Sequence, residues 1–139
     1  MKIVIIEPLG ITPEKLAEAT AAVKARGHEI VAYDTKEEDQ DKLAERGKDA
    51  DIIIIANQPT RGIDVGTASL IHKLLQKYTR EKGFAVLLIS SDLNEVMNLS
   101  DRLLIMRDGR IAAQFTDMKK VNDELMGEYM LGIRKMSEE

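Results

Sequence analysis

The side chains of this chain that could do chemistry fall at the carboxyl ends of short apolar runs: Glu7-Pro8-Leu9-Gly10, Asp34-Thr35, Asn57-Gln58, Ser90-Ser91 and Arg107. A serine is a useful nucleophile only beside a base. No His lies in these segments; His28 reads as a turn residue and His72 as a helix-surface residue. Ser90 and Ser91 are therefore better explained as helix-capping residues. Asn57 and Gln58 are amides, which supply neither the charge a Mg²⁺ site needs nor a base for water. The loop from Gly10 to Thr12 and the helix start at Ser91 would offer backbone N–H groups to an anion. Gly10, Asn57, Gln58, Ser90 and Ser91 are thus the candidate crevice residues, for a nucleotide or anion. No catalytic residue, metal ligand or cofactor is expected. Asp64 reads as a helix cap rather than a metal ligand. With no Cys in the chain there is no thiol nucleophile, disulfide or thiolate site.

The elements that must position these residues follow from apolar spacing. Val4-Ile5-Ile6 and Glu29 to Tyr33 read as strands. Asp51 to Ala56, with four consecutive Ile, reads as the third and most buried strand. Thr12-Pro13 opens the first helix and Gly27 closes it. Thr35-Lys36-Glu37-Glu38 has capping-box spacing and starts a polar helix ending near Gly47, with little besides Leu43 and Ala44 to bury. Asp64 starts a longer helix with Ala68, Ile71, Leu74, Leu75 and Tyr78 on one face, ended by Gly83. Phe84 to Ile89 is strand four, Ser91 or Asp92 caps a short helix through Asn98, and Arg102 to Met106 is strand five. Asp108-Gly109 is a two-residue hairpin signal that returns Ile111 to Phe115 as an antiparallel edge strand. Met118, Val121, Leu125, Tyr129 and Ile133 mark a last helix, and the tail from Lys135 is expected to fray.

Alternation of this kind predicts one α/β domain, a three-layer flavodoxin-like sandwich. Its parallel strands take the order 2-1-3-4-5, with an antiparallel sixth strand at the edge. The arrangement of an acid after strand one, a hydroxyl after strand four and a cation after strand five resembles a response-regulator receiver. Asn57, however, stands where that family has its phosphorylatable Asp.

The bulk properties narrow the partners. The chain has 139 residues, 44% of them hydrophobic, enough for one domain with a real core. A net charge of −4 argues against a nucleic-acid surface. No apolar stretch approaches the roughly 20 residues needed to cross a bilayer. The start, MKIVIIEPLG, reads as a first strand rather than a signal peptide. A cytoplasmic location is expected.

Two resemblances divide the chain. Residues 1 to 57 resemble the start of a D-2-hydroxyacid dehydrogenase, through MKIVIIEPLG, Gly27-His28-Glu29-Ile30-Val31 and Lys48-Asp49-Ala50-Asp51-Ile52-Ile53. That implies the first three strands of a flavodoxin-like substrate domain. The family's later Arg, Glu and His have no counterpart, and no G-x-G-x-x-G loop occurs. Residues 59 to about 133 resemble a sugar-importer ABC ATPase from its D-loop onward. The resemblance rests on Pro59-Thr60-Arg61-Gly62-Ile63-Asp64-Val65-Gly66, on Val86-Leu87-Leu88-Ile89-Ser90-Ser91-Asp92-Leu93, on Leu99-Ser100-Asp101-Arg102, and on Met106-Arg107-Asp108-Gly109-Arg110-Ile111.

That family has an Asp-Glu pair before Pro-Thr, where this chain has Asn57-Gln58, and a switch His where it has Ser91. Its phosphate loop and signature segment have no counterpart either. The resemblances therefore imply an engineered chimera with its seam at Asn57 to Pro59. They also imply no evolved biochemical function and no enzyme activity, only residual nucleotide or anion binding in the strand-end crevice. Apolar surface left uncovered on the ABC-like fragment would favour a homodimer, and the edge strand ending at Phe115 is a second place for self-association.

Overall fold

The structure, a computed structural model, describes residues 1–37, 39–56, 75–77 and 79–135. Glu38, Asn57 to Pro59, the Asp64 cap, His72, most of the helix predicted after Asp64 and the end of the tail lie outside the described residues. Two compact units divide the chain, residues 1–90 and 91–139. The division falls at Ser90–Ser91 rather than at the seam after Asn57.

The first unit holds β1 (Lys2–Ile5), α1 (Pro13–Ala25), β2 (Glu29–Ala32), α2 (Gln40–Gly47), β3 (Ile52–Ala56) and β4 (Ala85–Ile89), with helical residues 75–77 and 79–82 before β4. Its four strands form a sheet in the order β2-β1-β3-β4. All three pairings are parallel; Ile3 faces Ile30 on one side and Ile52 on the other, and Ile52 faces Ala85. The α/β class and the strand order 2-1-3-4 are those the sequence predicts. Ile3, Val4 and Ile5 of β1 and Ile53, Ile55 and Ala56 of β3 form the core. β1 is more deeply buried than the isoleucine run of β3, with Val4 fully enclosed.

α1 starts as its sequence dictates: Thr12 caps it, accepting from the Lys15 backbone N–H, and Pro13 takes a first-turn position. α2 departs from the capping-box reading. Asp39, not Thr35, is its cap, because the Asp39 carboxylate reaches two backbone N–H groups, of Asp41 and Lys42, at 3.0 and 3.1 Å. The Thr35 hydroxyl accepts instead from the Arg46 guanidinium. Gly47 does not end α2 by a left-handed turn; it is the last helical residue, pressed on β3. A Cβ there would stand 2.7 Å from Ile53 Cδ1.

The second unit holds α3 (Leu93–Leu99), β5 (Leu103–Arg107), β6 (Arg110–Phe115), a 3-10 turn (Met118–Lys120) and α4 (Asp123–Leu131). β5 and β6 form an antiparallel hairpin with sheet pairing of its own. Asp108 and Gly109 have φ of 50° and 73°, the two positive values the turn requires. Strand six returns antiparallel on strand five as the sequence predicts, and the two pair with each other. Val96 of α3 and Met126 and Tyr129 of α4 close a core on Leu103, Ile105 and Ala113 of the hairpin. α3 thus contributes Val96 to the core of its own unit, with Leu93 and Met97 packed against it. The last helix is also shorter than its apolar stripe implies. Asn122 caps it by accepting from the Leu125 N–H at 2.8 Å, and Gly132, at φ 75°, ends it before Ile133.

Candidate functional site

In an open parallel sheet the ligand crevice lies outside the carboxyl ends of the strands. At that edge of the first unit the structure places the loop after β1, the segment after β2 and Ser90 after β4. β1 and β4 flank β3, so the Gly10 loop and Ser90 leave the sheet on either side of the strand that leads into Asn57 and Gln58. Those two amides lie outside the described residues.

Gly10 adopts φ 68°, and a Cβ on it would meet nothing within 4 Å, so glycine serves the turn rather than the approach of a neighbouring group. Ser90 is half-buried and Ser91 exposed, and both already make polar interactions. The cap of α3 is Asp92, whose carboxylate accepts from the Glu95 backbone N–H at 3.1 Å.

Acidic side chains already serve the two helix starts that the sequence offers to an anion. At α1, a hydrogen bond with its own backbone N–H, and a second with the Thr12 side chain, hold the Glu14 carboxyl below its usual range. At α3, the Asp92 carboxylate does the capping. A negative group at a helix start satisfies the same orphan donors and the same dipole that would attract a bound anion. A bound anion at either start would compete with a carboxylate for the same donors.

The strongest polar construction at this edge is one the sequence does not announce. Arg46, in the last turn of α2, donates from one guanidinium nitrogen to the Ile6 carbonyl at 3.0 Å and the Thr35 carbonyl at 2.7 Å. Its other terminal nitrogen donates to the Thr35 hydroxyl at 3.0 Å and lies 3.8 Å from the Glu37 carboxylate. The guanidinium also sits 4.4 Å from the centre of the Tyr33 ring, within cation–π range. One side chain therefore ties the ends of β1 and β2 to α2. Its partners come from separate stretches of the chain, and that is why spacing gave no sign of it. His28, the expected turn residue, does lie between α1 and β2; its Nδ1 is buried without a hydrogen bond. Among the described residues no group of three His, Cys, Asp or Glu side chains could hold a metal ion, and no helix is long and apolar enough to cross a membrane.

No model of a known protein family matches the chain. Individual proteins do. The chain is 43% identical over 74 residues to ribose import ATP-binding protein RbsA 1 of Streptomyces coelicolor. It is 43% identical over 74 residues to ribose import ATP-binding protein RbsA 2 of Rubrobacter xylanophilus, and 40% identical over 74 residues to RbsA of Rhodococcus jostii. Each match takes in 53% of this chain and 14% of the relative, so the chain spans about a seventh of the length of the relatives it matches. The matched length is close to that of the segment from residue 59 to about 133. About half of the chain is therefore homologous to ABC sugar-importer ATP-binding proteins.

These matches overturn two expectations drawn from the sequence. A segment inherited at this identity from ATP-binding import proteins is not the mark of a scaffold without evolved function. Nor does the expectation of a non-enzyme stand against relatives that are named as ATP-binding proteins. The resemblance of residues 1 to 57 to a dehydrogenase rests on its sequence phrases alone.

Proposed function

We propose that residues 59 to 133 are the part of a sugar-importer ABC ATPase that follows its Walker B strand. They act in ATP-dependent sugar import together with complementary ATP-binding elements on another segment or chain. The observation that carries this reading is the identity of 40–43% over 74 residues to ribose import ATP-binding proteins. The hairpin core supports it physically, since Leu103, Ile105, Ala113, Val121, Met126 and Tyr129 give much of that segment a core of its own. The phosphate loop and the acid pair would come from the complementary elements, because this chain has Asn57 and Gln58 before Pro59. A cytoplasmic location goes with this reading.

The test is complementation. A ribose import ATP-binding protein deleted for the equivalent stretch would be mixed with the 139-residue chain, and Mg-ATP hydrolysis followed. The expected result is hydrolysis that rises with added chain and saturates. The absence of both hydrolysis and complex formation at micromolar concentrations would sink the reading.

We also infer that the chain joins two parentages at Asn57 to Pro59, the first resembling a D-2-hydroxyacid dehydrogenase. The parallel register of β3 on β4, Ile52 facing Ala85 through Ala56 facing Ile89, is what such a join requires. A natural reading frame continuous across this seam would count against it. A homodimer is a second reading for the free chain, favoured by Leu87 and Ile89 of β4, which are 46% and 53% exposed on a strand without charge. Sedimentation equilibrium decides it: a monomer throughout the micromolar range ends that reading.

A further inference from the structure

The hairpin of the second unit has two apolar faces, and only one of them belongs to its core. Leu103, Ile105 and Ala113 point into that core, with Phe115 packed against it. On the opposite face Met106 pairs with Ile111, and Leu104 stands two residues back along β5, opposite Gln114. Leu104, Met106 and Ile111 are 47%, 65% and 60% exposed. An antiparallel hairpin with one solvated face alternates apolar inward with polar outward. Three large apolar side chains on the outward face instead make a second packing surface.

We propose that this outer face is the surface on which the complementary part of a sugar-import ATP-binding chain docks, an inference that rests on the function proposed above. The length of the relatives identifies the occupant. The matched stretch is 14% of each of them, so in those proteins it lies within a chain about seven times longer. A segment taken from a layered domain keeps the face that its neighbouring layer covered. The outer face of β5 and β6 has that character: Leu104, Met106 and Ile111 are contiguous on it and no charge stands among them.

The experiment compares the 139-residue chain with the M106E/I111K double variant, each titrated into the deleted ribose import ATP-binding protein. The two introduced charges are opposite and paired across the strands, so the hairpin itself keeps a favourable cross-strand contact. Expected is a dissociation constant at least tenfold weaker for the variant, with an unchanged thermal midpoint. If the variant melts lower, the single exposed substitution Leu104→Gln serves, and a threefold or greater loss is expected. The parent chain binding while the variants bind equally well overturns the docking surface and leaves the proposed function standing. A parent chain that does not bind at all overturns both. A parent that sediments as a dimer which M106E/I111K dissociates gives the face to a second copy, and that also overturns the proposal.

Discussion

The guanidinium of Arg107 lies over the α-carbon of Gly132, in the space that a Cβ at that position would fill. Gly132 is the left-handed residue that ends α4, and its N–H donates to the Tyr129 carbonyl at 3.2 Å. A cation at the carboxyl end of a helix is favourably placed in the field of the last carbonyls. The contact joins the end of β5 to the end of α4 within one unit, and only glycine permits it.

Gly132→Ala should therefore carry two costs. A left-handed conformation costs an L-residue about 1–2 kcal/mol, and Arg107 must also move away. The expected loss is a thermal midpoint lower by about 4 °C or more. Arg107→Ala should remove the steric part, so the double variant should be less destabilised than the sum of the two singles. Strict additivity in chemical denaturation would refute the contact.

Gly47 and Ile53 make a second pair of this kind, in the first unit. Gly47→Ala gains about 0.5–1 kcal/mol of helix propensity, but overpacking a core costs about 1–3 kcal/mol. Only the terminal Cδ1 of Ile53 stands in the way, so the overpacking cost lies at the low end and the net loss should not exceed about 1 kcal/mol. Ile53→Val removes the Cδ1 atom that the new methyl would meet. Gly47→Ala should then be less harmful when combined with Ile53→Val than alone, and an equal penalty on both backgrounds would exclude this account.

Arg46 should matter more than its position on a polar helix implies. α2 is otherwise held by a half-buried Leu43 and by Gly47, and Ala44 is exposed. Arg46→Ala would leave two backbone carbonyls without their donor, at about 1–3 kcal/mol each if they stay dry. Arg46→Lys cannot reproduce the fork and should recover less than half of the loss. Hydrogen exchange should report it as faster opening of residues 40–47 with β1 and β3 protected. Global loosening without that local signature would contradict the clamp.

Glu14 gives the pH dependence that can be assigned. Its folded-state carboxyl titrates below the ordinary value, so its contribution is complete above the ordinary carboxylate range. It fades as the pH falls through the lower folded value. Glu14→Gln should flatten that acid limb while leaving stability near neutral pH little changed. A variant whose stability falls with acid as steeply as the parent's would rule this out.

The sequence is most legible where structure is local. The Thr12-Pro13 start and the Asp108-Gly109 hairpin follow from caps and turns within a few residues of each other, and the 2-1-3-4 order from the alternation of strands and helices along the chain. The ABC-like phrases were legible as well, because they are continuous stretches. The candidate site was less legible. Gly10 and Ser90 do lie at the strand ends where the topology puts them, but the Arg46 clamp gathers Ile6, Tyr33 and Thr35 from separate elements. The acids at the starts of α1 and α3 were in plain view; the hydrogen bonds they make at those helix starts were not.

What the sequence determined by itself was the set of elements and their kinds, since capping, turn chemistry and hydrophobic periodicity act over one or two turns of chain. What only the tertiary structure decided was which apolar faces meet. α3 and α4 carry apolar faces whose partners no local feature of the sequence names. Val96, Met126 and Tyr129 pack with Ile105 and Ala113 because that arrangement buries them, and burial depends on the whole unit rather than on any stretch of it.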